Sequence, residues 1–135
     1  MNPELAWAAG FFDGEGHTGY LHSPSGGGRS VQMTVPQTET TTLERFHAAV
    51  GGLGRVSTRP HHHAKHPNWS SRWDWRCWRK DDVRAVFEML RPYLSWPKQA
   101  QALRAFALYE MDRSFWGRGK HPTNLRHLGK GTRWV

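Results

Sequence analysis

The sequence predicts a single α+β domain, with a four-stranded antiparallel sheet whose helices return to one face and leave the other open. Three observations predict it. Patterned segments follow the order helix, hairpin, helix, hairpin, helix, helix along the chain. The clearest strand, Ser30 to Thr38, alternates Val31, Met33 and Val35 with Gln32, Thr34 and Pro36, so one side faces a core and the other does not. With 135 residues, 37% of them hydrophobic, the chain is long enough for one core and short for two.

Asn2-Pro3-Glu4 reads as a cap, a proline at the first helical position and an acid in the first turn, opening a helix to about Asp13 that Gly14 and Gly16 stop. His17 to His22 and Ser30 to Thr38 form a hairpin around "SPSGGGR", with the phase of the first strand undecided and Pro36 suited to a strand end. Thr41-x-x-Glu44 suits a capping box for a second helix, with Leu43, Phe46 and Val50 inward and Gly51-Gly52 as the stop. "GRVSTRP" and "SRWDWRCWR" pair as a second hairpin across "HHHAKHPNWS". Asp81 caps a third helix that buries Val83, Val86, Phe87 and Leu90, and Ser95 caps a fourth with Pro97 early in it. Residues 1–112 are expected to form the domain, with 113–135 a basic C-terminal tail.

The formal charge is +8, and the acids are unevenly placed. None lies between Gly16 and Thr38, between Arg45 and Trp73, or after Asp112. Strands and loops are therefore basic while acids gather in the helices, a field suited to a polyanion, either nucleic acid or an anionic membrane surface. No apolar run approaches the roughly 18 residues of a membrane span, and no secretory leader pattern opens the chain. The single Cys77 excludes an internal disulfide framework and suits an intracellular, reducing setting.

The first helix is the most informative stretch. Ala6, Ala9, Gly10, Asp13 and Gly14 fall on one stripe at helical spacing, while Leu5, Ala8 and Phe12 face the core. Small residues there let a second helix approach closely. Glu15 then sits just past the helix C-terminus, where free carbonyls already concentrate negative charge. If a second copy packs along the stripe, two carboxylates and two sets of carbonyls converge into a hard-oxygen site for Mg²⁺.

"AAGFFDGEG", Ala8 to Gly16, resembles the LAGLIDADG motif of homing endonucleases in its variant ending Asp-Gly-Glu-Gly, departing from it at Ala8 where Leu is usual. The resemblance extends to the αββαββα order over Asn2 to Met111 and to "LRPYLSWPKQAQA" near the end. It implies that Glu15 and the Gly14 carbonyl bind divalent metal, Mg²⁺ in cleavage with Mn²⁺ or Ca²⁺ able to substitute in binding. It further implies that the motif helices form a dimer interface through Ala6, Ala9, Gly10 and Asp13. A single motif implies a homodimer, and a homodimer implies a long, near-palindromic double-stranded DNA site cut on both strands. Lys98 matches the family's active-site lysine. A polar residue after the second strand completes that site, Glu39 by register from Phe46, or Gln37 if the strand slips.

Alternation puts Val56, Thr58, Trp73, Trp75 and Cys77 inside. Gln32, Thr34, Arg55, Ser57, Arg59, Arg72, Asp74 and Arg76 then face outward as the DNA-reading set. Arginines there can pair with guanine, and Asp74 can accept from cytosine or hold an arginine. "HHHAKH" lacks the paired ligands of a fixed zinc site and suits a loop touching DNA. The rival to a nuclease is a non-cleaving binder on the same scaffold, an RNA-splicing maturase or a DNA-binding regulator.

Overall fold

A computed structural model describes residues 1–22, 28–59 and 72–116. Helix α1, Pro3–Glu15, starts where Asn2 accepts the Leu5 N–H at 3.2 Å and Pro3 occupies the first turn. Strands β1 (His17–His22) and β2 (Arg29–Gln37) follow, then α2 (Thr41–Ala49), β3 (Arg55–Arg59), β4 (Arg72–Cys77) and α3 (Lys80–Leu90). A 3₁₀ turn at Arg91–Tyr93 leads into α4, Trp96–Trp116. The order is the one the sequence predicts, and the fold is α+β as expected.

Helix starts differ in detail. Thr40 precedes α2 without a side-chain cap bond, so the Thr41 capping box does not form, and Glu39 does that work instead. α3 begins at Lys80, which leaves Asp81 and Asp82 inside its first turn, where their charges face the positive end of the helix. α4 continues through position 113 to Trp116, so the helix crosses the expected boundary at 112.

The four strands pair antiparallel in the order β1-β2-β4-β3. The two hairpins are thus joined through β2 and β4, leaving β1 and β3 at the edges. Pro36 lies within β2 opposite Asp74. β1 pairs only with Arg29 to Thr34, so one side of β2 no longer faces a strand there and the missing N–H is tolerated.

Val31, Met33 and Val35 of β2 and Trp75 and Cys77 of β4 are buried beneath Phe12, Leu43, Phe46, Val83, Val86, Phe87, Leu90, Ala102 and Ala105. Phe46 meets the Trp75 ring edge-on with centroids 4.7 Å apart. The Trp75 indole N–H donates to the Leu53 carbonyl at 3.0 Å, which ties the turn before β3 to the core.

That turn requires glycine at position 54. Its φ is +81°, and a Cβ there would sit 2.6 Å from Trp75 Nε1 and 2.9 Å from the Arg76 carbonyl. Gly54→Ala is therefore expected to destabilise the fold by roughly 2–4 kcal/mol, from left-handed backbone strain and overpacking together. Urea denaturation measures it, and a loss below that range would mean the turn can relax.

Candidate active site and nucleic-acid interface

The last helical bond of α1 runs from the Gly16 N–H to the Phe12 carbonyl, 2.8 Å. The carbonyls beyond Phe12 have no helical donor, and they gather at the negative end of the helix dipole. Gly14 and Glu15 are both exposed there. Glu15 makes no ion pair among the described residues, so its charge adds to that of the carbonyls.

Lys98 supplies the opposite charge. It comes from the first turn of α4, 82 residues away, and its Nζ donates to the Gly16 carbonyl at 2.6 Å. A lysine at the start of its own helix is poorly placed; resting on the C-terminal carbonyls of α1 resolves this. The Asp13 carboxylate accepts the Ser95 N–H at 3.1 and 3.2 Å, one from each oxygen, fixing the start of α4 against the end of α1. Gln101, one turn beyond Lys98, accepts the Thr18 N–H at 3.0 Å and fixes α4 to β1. His17 lies in the same corner. Burial, and then the Lys98 cation, lowers its pKa from the ordinary imidazole value of 6.5. The roles of Asp13, Gln101 and His17 have no local sequence signal, because each partner is far along the chain or on a strand whose phase the pattern leaves open.

Glu39 is engaged at the start of α2. Its carboxylate accepts the N–H groups of Thr41 at 2.6 Å and Thr42 at 3.2 Å, along with the Thr42 hydroxyl. The expected site role for Glu39 is thus replaced by capping of α2, since four orphan N–H groups and a positive dipole end attract the nearest carboxylate. Gln37, the rival, ends β2 half-buried, opposite Trp73. The Thr42 hydroxyl, chiefly, holds the Glu39 pKa below 4.5. A lowered native pKa stabilises the fold above the unfolded value and is lost as pH falls through the native one. Glu39→Ala is accordingly expected to lower the melting temperature modestly at pH 7, with the difference fading below pH 4.5. A difference that persisted into strong acid would remove the charge from the account.

The register places the residues expected to face outward on one face of the sheet, while Thr58, expected inside, is exposed at the edge strand, where no further strand covers it. Register pairs His17 with Thr34, Thr34 with Arg76 and Arg76 with Arg55, giving one row across all four strands. Pro36, Asp74 and Ser57 form the next row, and Arg72 pairs with Arg59 beyond it. Gln32 faces Gly19, and Leu21 faces Ser30, which settles the phase of β1. Arg55 and Arg72 are exposed, Arg76 is partly so, and Asp74 is buried. Like charges directly opposite, as at Arg55 and Arg76, weaken a sheet unless an anion compensates. A two-stranded ribbon with this chemistry can enter a major groove.

The stripe on α1 is narrower than the sequence suggests. Ala9 is fully buried with Ala8 and Phe12 inside the chain, because α2 flanks α1 on one side and α3 with the 3₁₀ turn on the other. Asp13 is half-buried and engaged with Ser95. What stays open is Gly10 and Gly14, with Ala6 half-exposed; a Cβ on Gly10 would meet nothing within 4 Å.

Burial, followed by the nearby Asp82 charge, pushes the Cys77 thiol up to about 11, so it offers no thiolate nucleophile at neutral pH. Among the described residues no three His, Cys, Asp or Glu side chains form a metal cage, and no helix is long and apolar enough to cross a membrane. His61 to His66 and positions 117–135 lie outside the described residues.

No protein-family model and no curated protein matches the sequence. Solved structures do. The chain is 25% identical to the homing endonuclease I-CvuI in complex with the I-CreI target in the presence of Mg, where the DNA is not cleaved, with a TM-score of 0.60. That match covers 74% of this chain and 61% of the other. I-CvuI with its own target and Ca is 27% identical over the same shares, with a TM-score of 0.57. The LAGLIDADG homing endonuclease I-SmaMI bound to cleaved DNA is 18% identical, covering 84% of this chain and 37% of that one, at a TM-score of 0.57. The chain thus spans about three-fifths of the length of the I-CvuI chains it matches. Together with the motif helix ending at Glu15 and the open four-stranded sheet, these matches show that the chain has the LAGLIDADG homing endonuclease fold.

Proposed function

We propose that the protein is a homodimeric, Mg²⁺-dependent, site-specific endonuclease that hydrolyses both strands of a near-palindromic double-stranded DNA site. The observation that carries this reading is Lys98 seated on the Gly16 carbonyl, beside Glu15, at the end of the motif helix. A purely binding surface has no use for an exposed acid at a negative helix end with a lysine delivered to it from the far side of the chain.

The donor set fits the metal. Glu15 and the Gly14 carbonyl are hard oxygens, and among the described residues one protomer offers too few for a cage, which suits Mg²⁺ held by one or two carboxylates, phosphate oxygens and water. When bound, the metal lowers the pKa of attacking water and stabilises charge on the phosphate and the leaving oxygen. The chain's own residues do the rest. Glu15 and the Gly14 carbonyl would hold the cation, and Lys98 offsets the accumulating negative charge at that end. Arg55, Arg72 and Arg76 hold and read the duplex on the sheet face, with Gln32 and Thr34 beside them. The exposed Gly10 and Gly14 leave room for the second copy's helix.

The test is incubation of the full chain with a library of DNA sites in Mg²⁺ and, separately, in EDTA. Cutting at a small set of near-palindromic sites in Mg²⁺ alone supports the reading. Binding without cutting at every selected site would establish a non-cleaving nucleic-acid-binding protein on this scaffold.

A further inference from the structure

Asp74 is the one carboxylate that the register places on the outward sheet face among the described residues, yet it is only 7% exposed. A carboxylate facing phosphates is repelled by them, and a buried one needs compensating charge or donors. Its place among the strands supplies part of the compensation. Two positions along β4 lies Arg76, whose guanidinium nitrogen is 3.8 Å from an Asp74 oxygen. Across from Arg76 stands Arg55 on β3, and two positions the other way Arg72 faces Arg59. By register Asp74 therefore lies between the Arg76–Arg55 pair and the Arg72–Arg59 pair, and its low exposure keeps it back from a duplex on that face.

At 3.8 Å the pair is an ionic contact rather than a bidentate hydrogen bond. Asp74 attracts the guanidinium without occupying its donors, so the fork stays available for an outside acceptor. The same charge offsets the repulsion between Arg76 and Arg55. We propose that Asp74 is a specificity-determining positioning residue: it holds Arg76 beside Arg55 so that the pair reads guanine at one position of each half-site. This rests on the proposed DNA reading and names the device that sharpens it.

The experiment compares wild type, Asp74→Asn, Arg76→Ala and the double variant, selecting sites from randomised duplexes in Ca²⁺ and then titrating salt. Arg76→Ala is expected to lose about tenfold discrimination for guanine at a single half-site position. Asp74→Asn is expected to flatten the preference at that same position while binding random DNA more tightly, because a negative charge has gone. In the Arg76→Ala background Asp74→Asn should change no base preference at all. Asp74→Ser serves as a second, smaller replacement, with circular dichroism confirming the fold of each variant. A preference unchanged in Asp74→Asn, or altered at a different position, overturns the role of Asp74 alone. A wild type that selects no sequence overturns the DNA reading, and the positioning role with it.

Discussion

Glu15→Gln is expected to reduce strand cleavage about a thousandfold or more while the protein folds, dimerises and still binds its site. The amide keeps the size and shape of the side chain and would remove one negative charge from each half of the proposed metal site. In the proposed mechanism several kcal/mol of transition-state charge stabilisation would depend on a cation bound there, and each 1.4 kcal/mol is about tenfold in rate. Binding in EDTA should tighten, since without metal two carboxylates at the carbonyl-rich ends of the α1 helices repel the scissile phosphates. Thermal stability supplies an independent sign. An acid beside the C-terminal carbonyls of α1 is unfavourable, so its removal should leave the melting temperature unchanged or slightly higher. Cleavage in Mg²⁺, a gel shift in EDTA and a melting curve on the same preparations separate the cases. A variant that cuts at near wild-type rate would make Glu15 an ordinary helix-end acid, and the nuclease reading would lose its centre.

The parts of this molecule legible in the sequence are those with local periodicity. Alternation at Val31, Met33 and Val35 and at Trp73, Trp75 and Cys77 assigns both faces of the inner strands, because a period of two admits only one arrangement once one face is buried. The end of α1 was legible from glycines and a misplaced acid. β1 was not, because Gly19 and the residues around it mix small, aromatic and polar types without alternation, and its phase is set by pairing with β2. Nor was the use of Glu39. Register arguments place it near the site, but two unsatisfied N–H groups lie within reach of its side chain and claim it first. The width of the α1 stripe misled for a related reason. Ala9 is nearly as small as Gly10, and a helix wheel cannot tell a small residue left open on the surface from one that packs against the neighbouring helices of its own chain. Lys98 was placed by resemblance; its contact with Gly16 spans most of the fold and no local pattern could give it.

Gly10→Leu is expected to abolish the dimer without harming the protomer, and with it cleavage of either strand. Gly10 is exposed in mid-helix, and a Cβ there would meet nothing within 4 Å, so leucine has room in the isolated chain. Replacing a mid-helix glycine should itself stabilise α1 by roughly 0.5–1 kcal/mol. A second helix packed along Gly10 and Gly14 would meet the new side chain between the two backbones, where close approach leaves no volume for it. Loss of the proposed interface would separate the two Glu15 and Gly14 sets, and among the described residues one protomer offers too few donors to keep a metal. Sedimentation should therefore show a 15.6 kDa species for the variant and twice that mass for wild type. Its melting temperature, read at a concentration where wild type is also monomeric, should be at least as high. Gly10→Ala, with a single methyl group, should fall between the two in dimer affinity and in cleavage. A Gly10→Leu protein that remains an active dimer would move the interface away from α1, and Glu15 could then no longer share a metal site with its counterpart.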